Sequence, residues 1–348
     1  MEAGEHAQLI DVPKLLRWMD DQGLGYGPLD KVRQLSGGTQ NILLRFERSG
    51  CDYVLRRTPL TPRPGADRSI AREAQVLAAL AESAVPHPRL YAACADPQVV
   101  GAAFYLMEPI DGFNPTNGLP RLHAGDPQIR RAMGFALIDG AVALSRVDPA
   151  LPALEGFGNP DNFLGRQVAR WRSALESYAG TPGWPDIADL PEIMEIGEFL
   201  EANLPTSFKA GLMHGDYHFS NVMIDPDGPG VKAIVDWELS TIGDPLLDLA
   251  WLIACWRGPP EDDVDLVRIT PWDGFPAPEE LIEHYGAATG RDLSDFDWYV
   301  ILACYKFAII IEGTFVRALR GEASMETGKW FHGCAQQLLR RALLRMNK

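Results

Sequence analysis

Two short segments carry the residues best suited to chemistry. Residues 214–221 read His-Gly-Asp-Tyr-His-Phe-Ser-Asn, and residues 234–238 read Ile-Val-Asp-Trp-Glu. Asp216 and Asn221 stand five positions apart, the spacing of base and metal-binding amide in the catalytic loop of phosphoryl-transfer enzymes. Asp236 follows the next strand-like run, where a second metal-binding carboxylate would sit. Phosphoryl transfer asks little covalent chemistry of a protein. It needs an in-line hydroxyl, a carboxylate to accept its proton, and cations to neutralise the phosphates.

His214 and His218 admit another reading, as ligands of a dinuclear hydrolase site. The remaining sequence argues against it, with seven His in all and no CxxC pair. His214 reads better as a brace on the loop's backbone, Gly215 as its turn, and His218 as a residue facing the cleft. Asp244 reads as the cap of a helix with Pro245 at its first position. Asp248 then ties that helix to the catalytic loop. Glu238 stays open between a second metal and the solvent shell.

These residues need elements to hold them. Residues 11–22 have the pattern of an amphipathic helix, and residues 68–83 that of a second, rich in Ala and Leu. Between them lie strand-like stretches across 32–46 and 53–56, with another at 102–107. Beyond about residue 110 the pattern is mostly helical, at 127–147, 161–178, 190–203, 244–256, 278–288, 294–320 and 325–346. The strand-like part of this half is confined to the region near 221–236. The division expected is a nucleotide-binding lobe over 1–108 and a catalytic and substrate-binding lobe over 109–348.

The first lobe contains what a nucleotide cleft requires. Ser36, Gly37, Gly38 and Thr39 form a turn whose glycines let the backbone approach a ligand, although the same residues suit a plain hairpin. Strand alternation puts Val54 and Arg56 on one face, so Val54 could cover a base while Arg56 reaches phosphates. Arg56 and Arg57 could equally be exposed strand-end charges. Glu73, on the following helix, could pair with Arg56. Residues 107–110 form a crossover. Met107 would border a base pocket, and Glu108 and Ile110 would supply a backbone carbonyl and N–H, because Pro109 has no N–H to donate.

Composition narrows the field. The 348 residues carry a formal net charge of −15, which argues against nucleic acid as a partner. Five widely spaced cysteines and an acidic N-terminus without an apolar stretch suggest a reduced, cytoplasmic setting. The longest apolar run, Trp298 to Ile311, contains Lys306 and is shorter than a bilayer span, so no membrane is expected as a partner.

Taken together, these residues resemble the aminoglycoside phosphotransferase/choline kinase family across roughly residues 30–320. The most specific matches are His214-Gly215-Asp216 with Asn221, and Ile234 to Glu238 followed by Gly243-Asp244-Pro245 and Asp248-Leu249-Ala250. Leu35 to Asn41, Tyr53 to Arg57 and Tyr105 to Glu108 are similar to the kinase-like branch related to domains fused to acyl-CoA dehydrogenases. The resemblance implies an α+β, bilobal protein-kinase-like fold, with a small antiparallel sheet plus helix and a large, mainly helical second lobe. It also implies ATP, with GTP as the alternative, and Mg²⁺. Asp216 would be the catalytic base, Asn221 and Asp236 would hold magnesium, and Glu73 would orient Arg56 on the phosphates. Arg56 departs from the Lys usual in this fold, and its planar fork changes the contact geometry.

The acceptor is expected to be a small hydroxylated molecule: a hydroxyacyl compound, an aminoglycoside-like sugar or another metabolite. The acidic segment Glu261-Asp262-Asp263 with Asp265 could attract a cation or be a solvated loop. Trp298, Tyr305 and Phe307 could line an acyl pocket or be plain core. The competing function is a nucleotide-binding regulatory module without transfer activity. Protein phosphorylation is disfavoured because residues 236–257 leave no room for a long activation loop.

Overall fold

The structure is a computed structural model that describes residues 9–35, 41–62, 64–185, 191–258 and 266–347. The turn at Ser36–Thr39 and the acidic segment at 261–265 therefore lie outside the described residues. Helix α1 (Val12–Asp21) starts where the Asp11 carboxylate accepts the Lys14 N–H, with a proline in its first turn. Strands β1 (Asp30–Gln34), β2 (Ile42–Arg48) and β3 (Cys51–Arg57) follow, then helix α2 (Ala66–Leu80). Strand β4 (Leu90–Cys94), the four-residue helix α3 (Pro97–Val100) and β5 (Phe104–Met107) complete the first part. The five strands form one antiparallel sheet in the order β1-β2-β3-β5-β4.

Pleating sorts this sheet's residues by face. Tyr53 and Leu55 of β3 pack with Leu15 and Met19 of α1, and with Phe46 and Phe104. Arg56 points the other way, in a cross-strand row with Leu43 of β2 and Tyr105 of β5. α2 lies on that opposite side. Its Ile70, Ala74, Leu77 and Leu80 share one apolar cluster with Tyr105 and with Leu137, Tyr217 and Trp237 of the second part. The hydrophobic core is thus continuous between the helix of the first lobe and the body of the second.

After Met107 the chain crosses to a mainly helical region. It contains α4 (Arg121–Gly125), α5 (Pro127–Ser145), α6 (Gly165–Glu176) and α7 (Pro191–Ala202). Four three- or four-residue strands come next: β6 (Gly211–Met213), β7 (Val222–Ile224), β8 (Val231–Ile234) and β9 (Thr241–Gly243). They pair as two antiparallel ribbons, β6 with β9 and β7 with β8. The strand region is therefore wider than 221–236. Helices α8 (Leu246–Cys255), α9 (Pro278–Thr289), α10 (Phe296–Leu319) and α11 (Met325–Met346) close the molecule.

α10 corrects one expectation. The helix runs 24 residues and is long and apolar enough, by length and composition, to cross a membrane. Most of its apolar surface is instead buried in protein. Trp298 and Tyr305 are core residues, the Trp298 indole donating to the Leu200 carbonyl oxygen. Phe307 stacks on Trp251 with ring centroids 4.3 Å apart.

Candidate active site

Two ribbons present the two candidate segments. Residues 214–221 leave β6 and lead into β7, and Asp236 lies two positions after the end of β8. Gly215 has φ +87°, and a Cβ there would press into the Leu239 carbonyl oxygen, so the turn needs glycine. Asp236 adopts φ 67°, ψ 61°, a left-handed conformation uncommon for a residue with a side chain. Such strain collects at functional sites, where surrounding structure imposes it.

Helix α8 holds the loop from beneath. The buried Asp248 carboxylate accepts the backbone N–H groups of His214 and Gly215 at 2.7 and 2.8 Å. His214 Nε2 lies 2.9 Å from the Val235 carbonyl oxygen, joining the two segments, while its Nδ1 accepts the Asp216 N–H. Asp244 Oδ1 accepts the Leu246 N–H at the start of α8, and Oδ2 takes Arg291 and the Tyr299 hydroxyl.

Asp216 is surrounded by donors. Trp251 Nε1–H donates to its Oδ1 at 2.8 Å, and His218 Nε2 lies 3.0 Å from the same oxygen. His218 Nδ1 accepts the Ser220 N–H, which leaves Nε2 as the nitrogen carrying the proton toward Asp216. Asn221 Nδ2 donates to Asp216 Oδ2 at 2.9 Å. Burial works to raise this carboxyl, but His218, His214 and the Asn221 amide outweigh it and hold it well below the usual carboxylate range.

Arg56 reaches across from β3. Its Nε lies 2.8 Å from Glu73 Oε2, and Nη2 donates to Asp236 Oδ1 at 2.7 Å. Neither Arg56 nor Arg57 is an exposed strand-end charge: Arg57 is buried and donates to the carbonyl oxygens of Thr58, Leu9 and Val100. The Tyr105 hydroxyl donates to Glu73 Oε2 at 2.9 Å. Burial pushes the Glu73 carboxyl up to about 7, against the pull of Arg56 and Tyr105.

Arg56, Asn221 and Asp236 converge on one cavity of about 600 Å³, which also takes in Leu43, Met107 and Val235. Val54 is buried and does not line it, and neither Glu108 nor Ile110 is among its lining residues. The Glu108 N–H is already committed to the Arg89 carbonyl oxygen at 2.9 Å. No group of three His, Cys, Asp or Glu side chains among the described residues is placed to hold a metal. A magnesium site built from the Asn221 amide oxygen, one Asp236 oxygen and phosphate oxygens is compatible with this, because Mg²⁺ keeps several waters and takes few protein ligands. Asp236 would have to share its carboxylate with Arg56.

Sequence reasoning overlooked three residues. Trp251 stands three positions after Asp248 on α8 and so shares its face. Tyr105 is the cross-strand partner of Arg56. Lys306, the one cation within an apolar helical run, lies 3.4 Å from the Gly215 carbonyl oxygen and 4.5 Å above the Trp251 ring.

Comparison with known proteins places the chain in a family and a fold. Residues 31–298 match the family model described as phosphotransferase enzyme family. A chicken protein, acyl-CoA dehydrogenase family member 11, is 31% identical over 323 residues, covering 90% of this chain and 40% of that protein. The chain spans 28–41% of the length of the curated relatives it matches. A crystal structure from Ralstonia eutropha JMP134, provisionally described as an aminoglycoside phosphotransferase, superposes with TM-score 0.79 at 28% identity, covering 96% of this chain and 98% of that one. A thermostable mutant of aminoglycoside phosphotransferase APH(4)-Ia, in ternary complex with AMP-PNP and hygromycin B, superposes with TM-score 0.61 at 16% identity, covering 94% and 98%. The likeness establishes a protein-kinase-like α+β fold.

Proposed function

The chain belongs to the phosphotransferase enzyme family, and from that premise we propose that it moves the γ-phosphoryl of ATP, or of GTP, to a hydroxyl of a small molecule. The observation that carries this reading is the convergence of Arg56, Asn221 and Asp236 on one cavity, with the Asp216 carboxylate hydrogen-bonded to Asn221. The AMP-PNP complex of a structural neighbour supports a nucleotide in this cleft.

Asp216 acts as the proton acceptor. Held low by its donors, it stays ionised through the neutral range, and its position orients the incoming hydroxyl. The hydroxyl oxygen forms the new P–O bond as its proton passes to Asp216. The bond between the γ-phosphorus and the bridging oxygen breaks, and its electron pair leaves with the nucleoside diphosphate. Arg56, positioned by Glu73, stabilises the phosphate charge. Asn221 and Asp236 would hold Mg²⁺, which would supply further charge neutralisation at the phosphates. A compartment with reduced thiols, the cytoplasm, completes the proposal.

Purified protein with Mg²⁺ and either nucleotide, screened against hydroxylated metabolites, hydroxyacyl thioesters and aminoglycosides, should release nucleoside diphosphate with a subset of them. Asp216→Asn should lower turnover roughly 10²–10⁴-fold while AMP-PNP still binds. Asp236→Ala should weaken Mg²⁺-nucleotide binding in calorimetry. Full activity of Asp216→Asn would overturn the base assignment. Unchanged nucleotide affinity of Asp236→Ala would overturn the metal role.

A further inference from the structure

A second cavity, of about 770 Å³, abuts the same loops. Met213 and Gly215 line it from one segment and residues 238–241 from the other, and it shares no lining residue with the first cavity. Its charge runs against that of the molecule. The chain carries a net −15, yet this cavity gathers Arg72, Arg166, Arg170 and Lys306 against a single carboxylate, Glu238.

Arg72 and Arg166 each spend one N–H on a backbone carbonyl oxygen, Ser240 at 3.0 Å and Asn159 at 2.7 Å. Arg166 and Arg170 stand one turn apart on α6, where like charges repel unless something negative lies between them. Lys306 sits between the rings of Trp251 and Trp171, with Nζ 4.5 and 5.6 Å from their centroids. Its burial, with help from Arg170, lowers its ammonium to about 8 despite Asp248 and Asp216 nearby. The Trp171 indole N–H is buried and has no hydrogen-bond partner among the described residues, an orphan that calls for an explanation. Glu238 apart, the charged groups and the orphaned indole here all donate.

Resting on the phosphotransferase reading, we propose that this cavity holds the acceptor, and that the acceptor carries an oxyanion, either carboxylate or phosphate ester, set against Arg166, Arg170 and Lys306 with its hydroxyl toward Asp216. Trp251 joins the two ends of this arrangement. Its indole N–H holds Asp216, and its ring lies under Lys306. A polyamine sugar would meet four like charges here, so the site selects against cationic acceptors.

The test uses the full chain saturated with AMP-PNP and Mg²⁺, titrated calorimetrically at low salt with glycerate, glycerol 3-phosphate, glycerol and hygromycin B. At least one anion should bind, at least tenfold more tightly than glycerol. Glycerate and glycerol 3-phosphate separate a carboxylate site from a phosphate site. The double variant Arg166→Ala/Arg170→Ala should lose at least tenfold in anion affinity with AMP-PNP affinity unchanged, and Arg166→Lys/Arg170→Lys should restore most of it. Failure of both anions to bind, anion affinity indifferent to the double substitution, or tighter binding of hygromycin B would each overturn the proposal. Failure of AMP-PNP to bind the unmodified protein would instead count against phosphoryl transfer, and the anion titration without nucleotide would still report on the cavity.

Discussion

Replacing Arg56 by Ala should produce a stability loss that grows with pH. Glu73 is 1% exposed, and Arg56 is the charge that opposes its burial. In the folded protein the Glu73 carboxyl is pushed up to about 7 from its ordinary 4.5. A raised acid binds its proton more tightly folded than unfolded. Its stabilising contribution is therefore complete below 4.5 and is lost as pH rises through about 7. The loss runs at up to about 1.4 kcal/mol per pH unit and levels off once Glu73 is ionised. Without Arg56 the carboxyl climbs higher still, so the variant keeps losing stability where the parent has levelled off. The gap between them should widen by up to about 2 kcal/mol from pH 7 to pH 9, because the parent, half ionised at pH 7, has little left to lose there. Arg56→Lys should show a much smaller widening. Adding Glu73→Gln to Arg56→Ala should abolish it, because Asp236, the other partner of Arg56, is 41% exposed and water can solvate it. Urea unfolding followed by far-UV circular dichroism at each pH gives the comparison. A gap that stays flat or narrows toward pH 9 would refute the reasoning.

Gly215→Ala forces a side chain into φ +87° and against Leu239, at about 1–3 kcal/mol for backbone strain alone. A lowered melting temperature together with a fall in turnover is expected, and parental values for both would contradict the account. Trp251→Phe keeps a ring against Phe307 but removes a donor from Asp216. Losing that donor leaves His218 as the remaining side-chain partner of Asp216 Oδ1, so turnover should fall while AMP-PNP affinity stays at the parental value. Parental turnover would show that the indole does not position Asp216.

The long elements were legible because each repeats its pattern over several turns. α5, α9 and α11 fall within two residues of the bounds that apolar spacing suggests. β4 was not visible. It is an edge strand of Leu, Tyr, two Ala and Cys, without the β-branched alternation that marks a half-buried strand. β6 and β9 span three residues each, too few to show any period. At the site, residues inside one contiguous motif, such as Asp216 and Asn221, could be paired by spacing. Trp251 and Lys306 act on Asp216 and Gly215 from helices 35 and 91 positions away, and only packing brings them there. The cationic cavity was illegible for the same reason, since it draws its charges from α2, α6 and α10.

The apolar cluster shared by α2 and the second lobe has a mechanical consequence. Three tethers reinforce it: Gln75 donates to the Ala153 carbonyl oxygen at 2.8 Å, Arg72 to that of Ser240 at 3.0 Å, and the Ile234 N–H to that of Pro86 at 2.8 Å. Swinging the first lobe as one rigid body about the crossover would tear α2 out of this seam and expose its apolar side. Any opening of the cleft that keeps this seam intact would have to move the five-stranded sheet, hydrogen-bonded throughout, relative to α2. Glu73 lies on the helix side of that boundary and Arg56 on the sheet side, so their ion pair spans the one surface along which the sheet could shift.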